Sequence, residues 1–285
     1  ETWSLAQIFE LRGVRAPVAP IVIVTIDESS FAELNTQWPF PRAMHGELLD
    51  RISAGGPLAI GLDLIFDSPS SRGPKDDEAL GAAVARAGNV VLGAAPTEDV
   101  QVLEEVQVAV KRDGSNLPLP VIRAAAAAYA PVNLPRDSDG HVRRAATKWQ
   151  VEDQTMLGFD AAIHRVARSA GLAAVPLPNV PSFVINFRGG PRTFPWVPYY
   201  RGLSGEVGPE AFRGKIVLVG STTPVHHDVF PTAFSRSGEM PGVEIHANVI
   251  ETLVRGNPIR EVPQWVSTTF AVLAALIGSI LVVRL

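Results

Sequence analysis

The string Ile21-Val22-Ile23-Val24-Thr25-Ile26, bounded by Pro20 and Asp27, constrains this chain more than any other. All six residues are β-branched, and five are wholly apolar, so both faces of the strand they form must be covered. A strand buried on both faces belongs in the middle of a parallel sheet with helices above and below it.

The following segments supply that architecture. Pro41 to Ala54 repeats apolar residues at helical spacing, with Met44, Leu48, Leu49 and Ile52, and stops at Gly55-Gly56. Leu58 to Phe66 reads as a second strand. Asp76 and Asp77 open a helix that Ala79 to Ala87 carries, and Val90 to Gly93 is a third strand. This alternation is βαβ winding, and the expected fold class is α/β, with a mixed, mostly parallel sheet flanked by helices. Further on, Val100 to Arg112 alternates like an edge hairpin, and Pro120 to Tyr129 reads as an alanine-rich helix. A turn at residues 136–140 precedes an antiparallel strand from Val142 to Val151. Gly158 to Ala170 is expected to be helical, Phe183 to Phe187 a strand, Lys215 to Gly220 a buried strand like the first, and Val243 to Arg255 a helix.

Trp265 to Arg284 carries no charge between its end residues. A hydrocarbon core about 30 Å thick needs roughly 20 helical residues, so this run is expected to be a transmembrane helix. The expected organisation is a juxtamembrane segment 1–13, a domain 14–257, a linker 258–264 interrupted by Pro258 and Pro263, and a membrane helix 265–285. Both ends look cut, since the chain opens on Glu1 and closes just past the apolar run. Arg284 after that run favours a cytoplasmic C-terminal side, with residues 1–263 extracytoplasmic. The chain has no cysteine, which excludes disulfides, thiolate zinc sites and cysteine nucleophiles together. A formal charge of -4 offers no basic footprint for nucleic acid.

Candidate site residues cluster at strand ends. Asp27 follows the first strand, Asp63 lies inside the second, and Ser221 ends the last, with Asp228 seven residues on. Ligands of open α/β sheets bind beyond the carboxyl ends of the strands, so these groups are expected to meet in one crevice. A carboxylate in an apolar strand has to be paired, hydrogen-bonded or cation-bound, and Arg42 is one available partner for Asp63. Asp27 is also placed to N-cap a short helix starting at Glu28. Asp27, Asp63 and Asp228 could together hold a calcium or magnesium ion. His226-His227 reads as solvated loop histidines, and no strand-end histidine is expected to serve Ser221 as a base. Trp38-Pro39-Phe40-Pro41-Arg42 either closes the core with aromatics or contributes Trp38 and Arg42 to ligand binding. Arg143-Arg144, after the turn at Asp139-Gly140, either binds an anion or anchors the loop.

Taken in order, Ile26-Asp27-Glu28-Ser29, Trp38-Pro39-Phe40-Pro41-Arg42, Leu62-Asp63-Leu64-Ile65-Phe66, Asp139-Gly140-His141-Val142-Arg143-Arg144, Gly214 to Gly220 and Met240 to Asn248 resemble the CHASE2 family of extracytoplasmic sensor domains. The chain departs from the family pattern at Phe40, where tryptophan is usual, and matches little from Thr97 to Asn116. The resemblance implies an input module of a transmembrane receptor that regulates a cytoplasmic adenylate or guanylate cyclase, a histidine kinase or a serine/threonine kinase. It implies an unidentified small-molecule, ion or envelope ligand, a homodimer in the cytoplasmic membrane, and no catalysis by this segment. Two alternatives stand beside it: a membrane-anchored, metal-assisted hydrolase using Asp27 and Asp63, and a purely structural dimerisation domain.

Overall fold

The computed structural model describes residues 2–96, 115–151, 154–226, 228–234, 238–260 and 264–284. In chain order the elements begin α1 (Thr2–Arg12), β1 (Ile21–Ile26), α2 (Glu28–Leu34), α3 (Arg42–Ser53), β2 (Ala59–Ile65), α4 (Pro74–Ala87) and β3 (Val90–Pro96). They continue with β4 (Ser115–Asn116), α5 (Pro120–Arg123), β5 (Ala128–Pro131), β6 (Arg144–Ala146), β7 (Lys148–Val151), β8 (Gln154–Leu157), α6 (Phe159–Ser169) and β9 (Ser182–Val184). The last are β10 (Trp196–Pro198), α7 (Tyr199–Ser204), β11 (Ile216–Ser221), β12 (Val229–Phe230), β13 (Met240–Pro241), α8 (Gly242–Arg255) and α9 (Gln264–Arg284).

Six strands form a parallel sheet in the order β10-β1-β11-β2-β3-β5, and β4 adds an antiparallel pairing to β3. The two most β-branched strands, β1 and β11, lie side by side in the middle, and every residue of both is buried. One face packs on α3 and α4 through Leu48, Leu49, Ile52, Leu80 and Val84. The other packs on α6 and α8 through Phe159, Ile163, Val243, Ala247 and Ile250. A third apolar cluster lies beyond α8, where Phe9 of α1, Phe183, Phe187, Phe234 and Met240 meet Ile245, Val249 and Leu253. α8 thus has core on two sides, and every residue from Gly242 to Val254 is buried.

This placement creates a requirement that the sequence pattern does not announce. Glu244, His246, Asn248, Glu251 and Thr252 are all buried on α8 and need partners inside the protein. The Glu244 carboxylate accepts from the backbone N–H groups of Arg192 (2.8 Å), Thr193 (2.7 Å) and Phe194 (3.3 Å). Asn248 Oδ1 accepts from the N–H of Arg188 at 2.8 Å, and Glu251 accepts from the N–H groups of Val18 and Ala19. Loops without regular structure are held in place by the side chains of one helix.

Several local expectations change under tertiary packing. The alanine-rich run is helical only over Pro120–Arg123, and Ala128–Pro131 instead pairs with β3, because pairing with the open edge of β3 overrides even alanine's high helix propensity. The single strand expected from Val142 to Val151 is two, broken at Thr147, whose hydroxyl bonds the carbonyls of Val180 and Pro181. The edge strand Trp196–Pro198 was not anticipated. The expected Val100–Arg112 hairpin lies outside the described residues.

At the C-terminus α9 exposes Trp265, Phe270, Leu273, Leu276 and Ile277. Among the described residues no helix is long and apolar enough to cross a membrane, so the spanning role expected of 265–285 finds no support there.

Replacing Glu244 with alanine removes the acceptor of three N–H groups, one buried and two part-buried, at up to about 1–3 kcal/mol each before relaxation. Urea denaturation is expected to show Glu244→Ala less stable by about 3 kcal/mol or more, with Glu244→Gln intermediate because its amide oxygen still accepts.

Candidate functional site

The carboxyl ends of β11, β2 and β3 open onto a crevice of about 790 Å³. Its wall includes Asp63, Ser221, His226, Asp228, His246 and Trp38, with Arg136 and Phe230 also lining it. Four sequence candidates therefore meet here: Trp38, Asp63, Ser221 and Asp228. Asp27 and Arg42 are not among the lining residues.

Asp27 is consumed by structure. Its Oδ1 accepts from the Ser30 N–H at 2.9 Å as the N-cap of α2 and from the Ser29 and Ser30 hydroxyls, while Oδ2 accepts from Thr25 Oγ1 at 3.0 Å. Arg42 does not pair with Asp63. Its guanidinium binds Asp77 and the Ser68 carbonyl and lies over the Phe66 ring. Asp76 completes that junction by accepting from the N–H groups of Arg42 and Ala43, so two acids of α4 fix the start of α3. The set Asp27, Asp63, Asp228 is not assembled around one point, and among the described residues no group of three or more His, Cys, Asp or Glu is arranged for a metal ion.

Asp63 faces His246 instead. It sits opposite Gly220 in the ladder with β11, and a Cβ at Gly220 would come within 2.8 Å of Val243 and 3.2 Å of the Asp63 Cβ. Glycine there lets α8 approach the sheet closely enough to bring its first turn against the carboxylate. His246 Nε2 lies 4.0 Å from Asp63 Oδ1, and His246 Nδ1 is 2.9 Å from Asp160 Oδ1. Phe159 contacts the imidazole edge to face at 5.2 Å. Asp160 holds the ring and Asp63 receives its other edge.

The electrostatics follow from that geometry. Burial lowers the His246 pKa, but Asp160, Asp63 and Asp228 outweigh it and hold the imidazole at about 9, so it is an imidazolium at neutral pH. Burial pushes the Asp63 carboxyl up to about 7; His246 opposes the shift, and Asp228 and Asp160 add to it. Asp228 is also raised by burial, against His246, His226 and Arg136. Its carboxylate occupies the space beside Gly242, where a Cβ would stand 2.6 Å from Oδ1, and the Gly242 N–H bonds the Asp228 carbonyl at 2.9 Å.

A second pair lies on the same wall. Ser221 Oγ is 2.8 Å from His226 Nδ1, so a histidine does reach this serine, contrary to expectation. The intervening 3₁₀ turn Pro224–His226 brings the ring back. His226 stacks obliquely on Trp38 at 4.8 Å and meets Phe31 edge to face, and burial lowers its pKa against the pull of Asp228 and Glu28. Trp38 therefore serves both the aromatic cluster with Phe31 and Phe40 and the crevice rim. His227 lies outside the described residues. Arg143 is not available to a ligand, because Asp137 and Asp139 bind it at 2.7 and 2.8 Å and Asp139 is held well below the usual carboxylate range by that contact.

Asp160, His246, Arg136 and Phe230 were not singled out from sequence, and His226 was read only as a solvated loop histidine. His246 stood inside a string already noted, Met240 to Asn248, and its signal was the spread of polar residues around a helix rather than along one stripe.

Because the folded-state pKa of Asp63 lies above its ordinary 3.8, ionising it costs stability. That cost is absent below about 3.8, accumulates as pH rises and is complete above about 7. Asp63→Asn is expected to raise Tm by a few degrees at pH 8 and to match the parent at pH 4. A pH-independent gap would contradict the buried-carboxyl account.

No curated protein matches the chain significantly, and neither does any solved structure. A family model described as CHASE2 domain matches residues 1–282, a span that takes in α1 and most of α9 as well as the α/β body. CHASE2 is a family of sensory domains, and this chain belongs to it.

Proposed function

We propose that the chain is the extracytoplasmic input domain of a transmembrane receptor, that the crevice receives the signal, and that the output is the activity of a cytoplasmic nucleotide cyclase or kinase. One observation carries this reading: the helix that forms the crevice wall also fixes both terminal segments at a single residue. Asn186 donates its backbone N–H to Thr252 Oγ1 of α8 at 3.1 Å. Its side-chain Oδ1 accepts from Arg12 of α1 at 2.5 Å, and its Nδ2 donates to the carbonyl of Asn257, just before α9, at 2.9 Å. Arg12 reaches the Phe187 carbonyl as well and stacks on Phe9 at 4.3 Å.

A shift of α8 at His246 is therefore transmitted to α1 and to the linker together. Pro258 interrupts the helical path after Arg255, and the linker is tied back by the Ile259 N–H to the Val184 carbonyl at 3.1 Å. Such a joint passes on position rather than rigid rotation. The exposed apolar side chains of α9, and Leu11 at 87% exposure on α1, support seating these helices in lipid or against a second copy. A hydrolytic reading has the Ser221–His226 contact in its favour. The sensory reading is preferred because the best-oriented imidazole, His246, faces a carboxylate and not a nucleophile.

The test uses the full receptor in membranes. His246→Ala is expected to change basal cyclase or kinase output at least about threefold, a coupling on the order of 1 kcal/mol. Asn186→Ala is expected to abolish the difference between His246 and its alanine variant. Unaltered output for every crevice variant would leave only a dimerisation scaffold, and turnover of phosphate or glycan esters lost in Ser221→Ala would favour the hydrolase.

A further inference from the structure

We propose that the crevice binds a small organic cation through a primary ammonium group, with Asp63 and Asp228 as its acceptors. This deepens the sensory reading and rests on it.

Charge pairing at close range is incomplete in the crevice. His246 gives its Nδ1 to Asp160 at 2.9 Å, and its Nε2 stands 4.0 Å from Asp63, too far for a hydrogen bond. Among the described residues no lysine or arginine forms an ion pair with Asp63 or Asp228. The one arginine on the wall, Arg136, lies over the Phe230 ring at 4.8 Å. Two carboxyl groups therefore face the cavity beside one shared imidazolium, itself paired with Asp160 from behind, and Arg136 acts on Asp228 from across the wall without pairing with it. Asp63 Oδ2 is buried without a hydrogen-bond partner, and only 8% of its side chain is exposed. A buried acceptor in that condition lacks a donor.

A ligand donor has to bring charge as well as hydrogen. A neutral hydroxyl would satisfy one lone pair and leave the carboxylate's charge uncompensated; an anion would be repelled by Asp63, Asp228 and Asp160 together. A bare metal ion needs more ligands than this wall assembles, whereas an ammonium needs only two or three acceptors in hydrogen-bond range. The remaining surface suits an organic body, since Trp38, Phe230, Leu64 and Val132 line the cavity with apolar groups, and its volume lies in the range of small-molecule sites.

In the unliganded crevice Asp63 meets the same need with a proton, in keeping with its raised pKa, and the incoming ammonium takes that proton's place. The facing groups that titrate or carry charge are Asp63, Asp228, Asp160, His246, His226 and Arg136, with Glu28 near His226. Burial puts the Asp63 carboxyl at about 7. Binding then releases up to one proton per ligand at pH below about 7, tightens as pH rises toward that value, and levels off above it.

The measurement is calorimetric titration of the 285-residue chain in detergent micelles with butylamine and 1,4-diaminobutane, against butanol and butyrate, in buffers of low and high ionisation heat. The amines are expected to bind saturably with proton release, and the neutral and anionic analogues to give no saturable signal. Asp63→Asn, which the pH argument predicts to be stably folded, and Asp228→Asn are each expected to weaken the amines about tenfold or more, the scale for losing one partner of a desolvated charge pair. Binding of butanol as tightly as butylamine, indifference to both variants, or no binding by either amine would overturn the proposal. Amine binding without any effect on receptor output would instead leave the ligand class standing and remove the sensory role.

Discussion

Everything in this structure depends on burying α8 from both sides. A helix packed against the sheet through Val243, Ala247 and Ile250 normally turns a polar face to water, but here Ile245, Val249 and Leu253 hold a second cluster with Phe9, Phe183 and Phe187. The polar residues between those two faces have no solvent, so the protein supplies partners from loops outside its helices and strands. Glu244 collects the loop at 192–194, Asn248 and Thr252 take 186–188, and Glu251 takes 18–19. The molecule has one interior hub, and the segments that would otherwise be independent are tied to it.

His246 extends the same logic into the crevice. Its two ring nitrogens face acids from two other elements, α6 and β2, so helix, helix and sheet meet at one charged residue. The arrangement leaves Asp63 short of a donor, and that imbalance separates the crevice from an ordinary packing defect. In the proposed mechanism the polar spine of α8 carries a change in this balance from His246 past Asn248 to Thr252. There Asn186 connects it to the segments that precede and follow the domain.

The central strands, the α3 and α4 repeats and the N-cap at Asp27 were legible because each depends on local spacing and burial demand. Asp63 was legible as an anomaly, a charge within an apolar strand, although its partner was not. Arg42 looked suitable by charge alone, yet it serves Asp77 and the start of α3. Asp160 and His246 are 86 residues apart, and no local rule connects them. Ser221 and His226 are five residues apart and were still missed, because the contact needs the chain to double back in a short 3₁₀ turn.

The sequence by itself determined that a β-branched strand is buried on both faces, hence a parallel α/β sheet, that Asp63 is a charge within an apolar strand, and that the C-terminal run is uncharged between Trp265 and Arg284. It did so because those properties are set by side-chain period and by the cost of exposing or burying each residue type. Only the tertiary structure decided which partner each buried charge obtains, that Ala128–Pro131 extends the sheet instead of a helix, and that α8 is interior on both sides. These depend on which surfaces the folded chain brings within hydrogen-bond distance, and that distance is measured through space, not along the sequence.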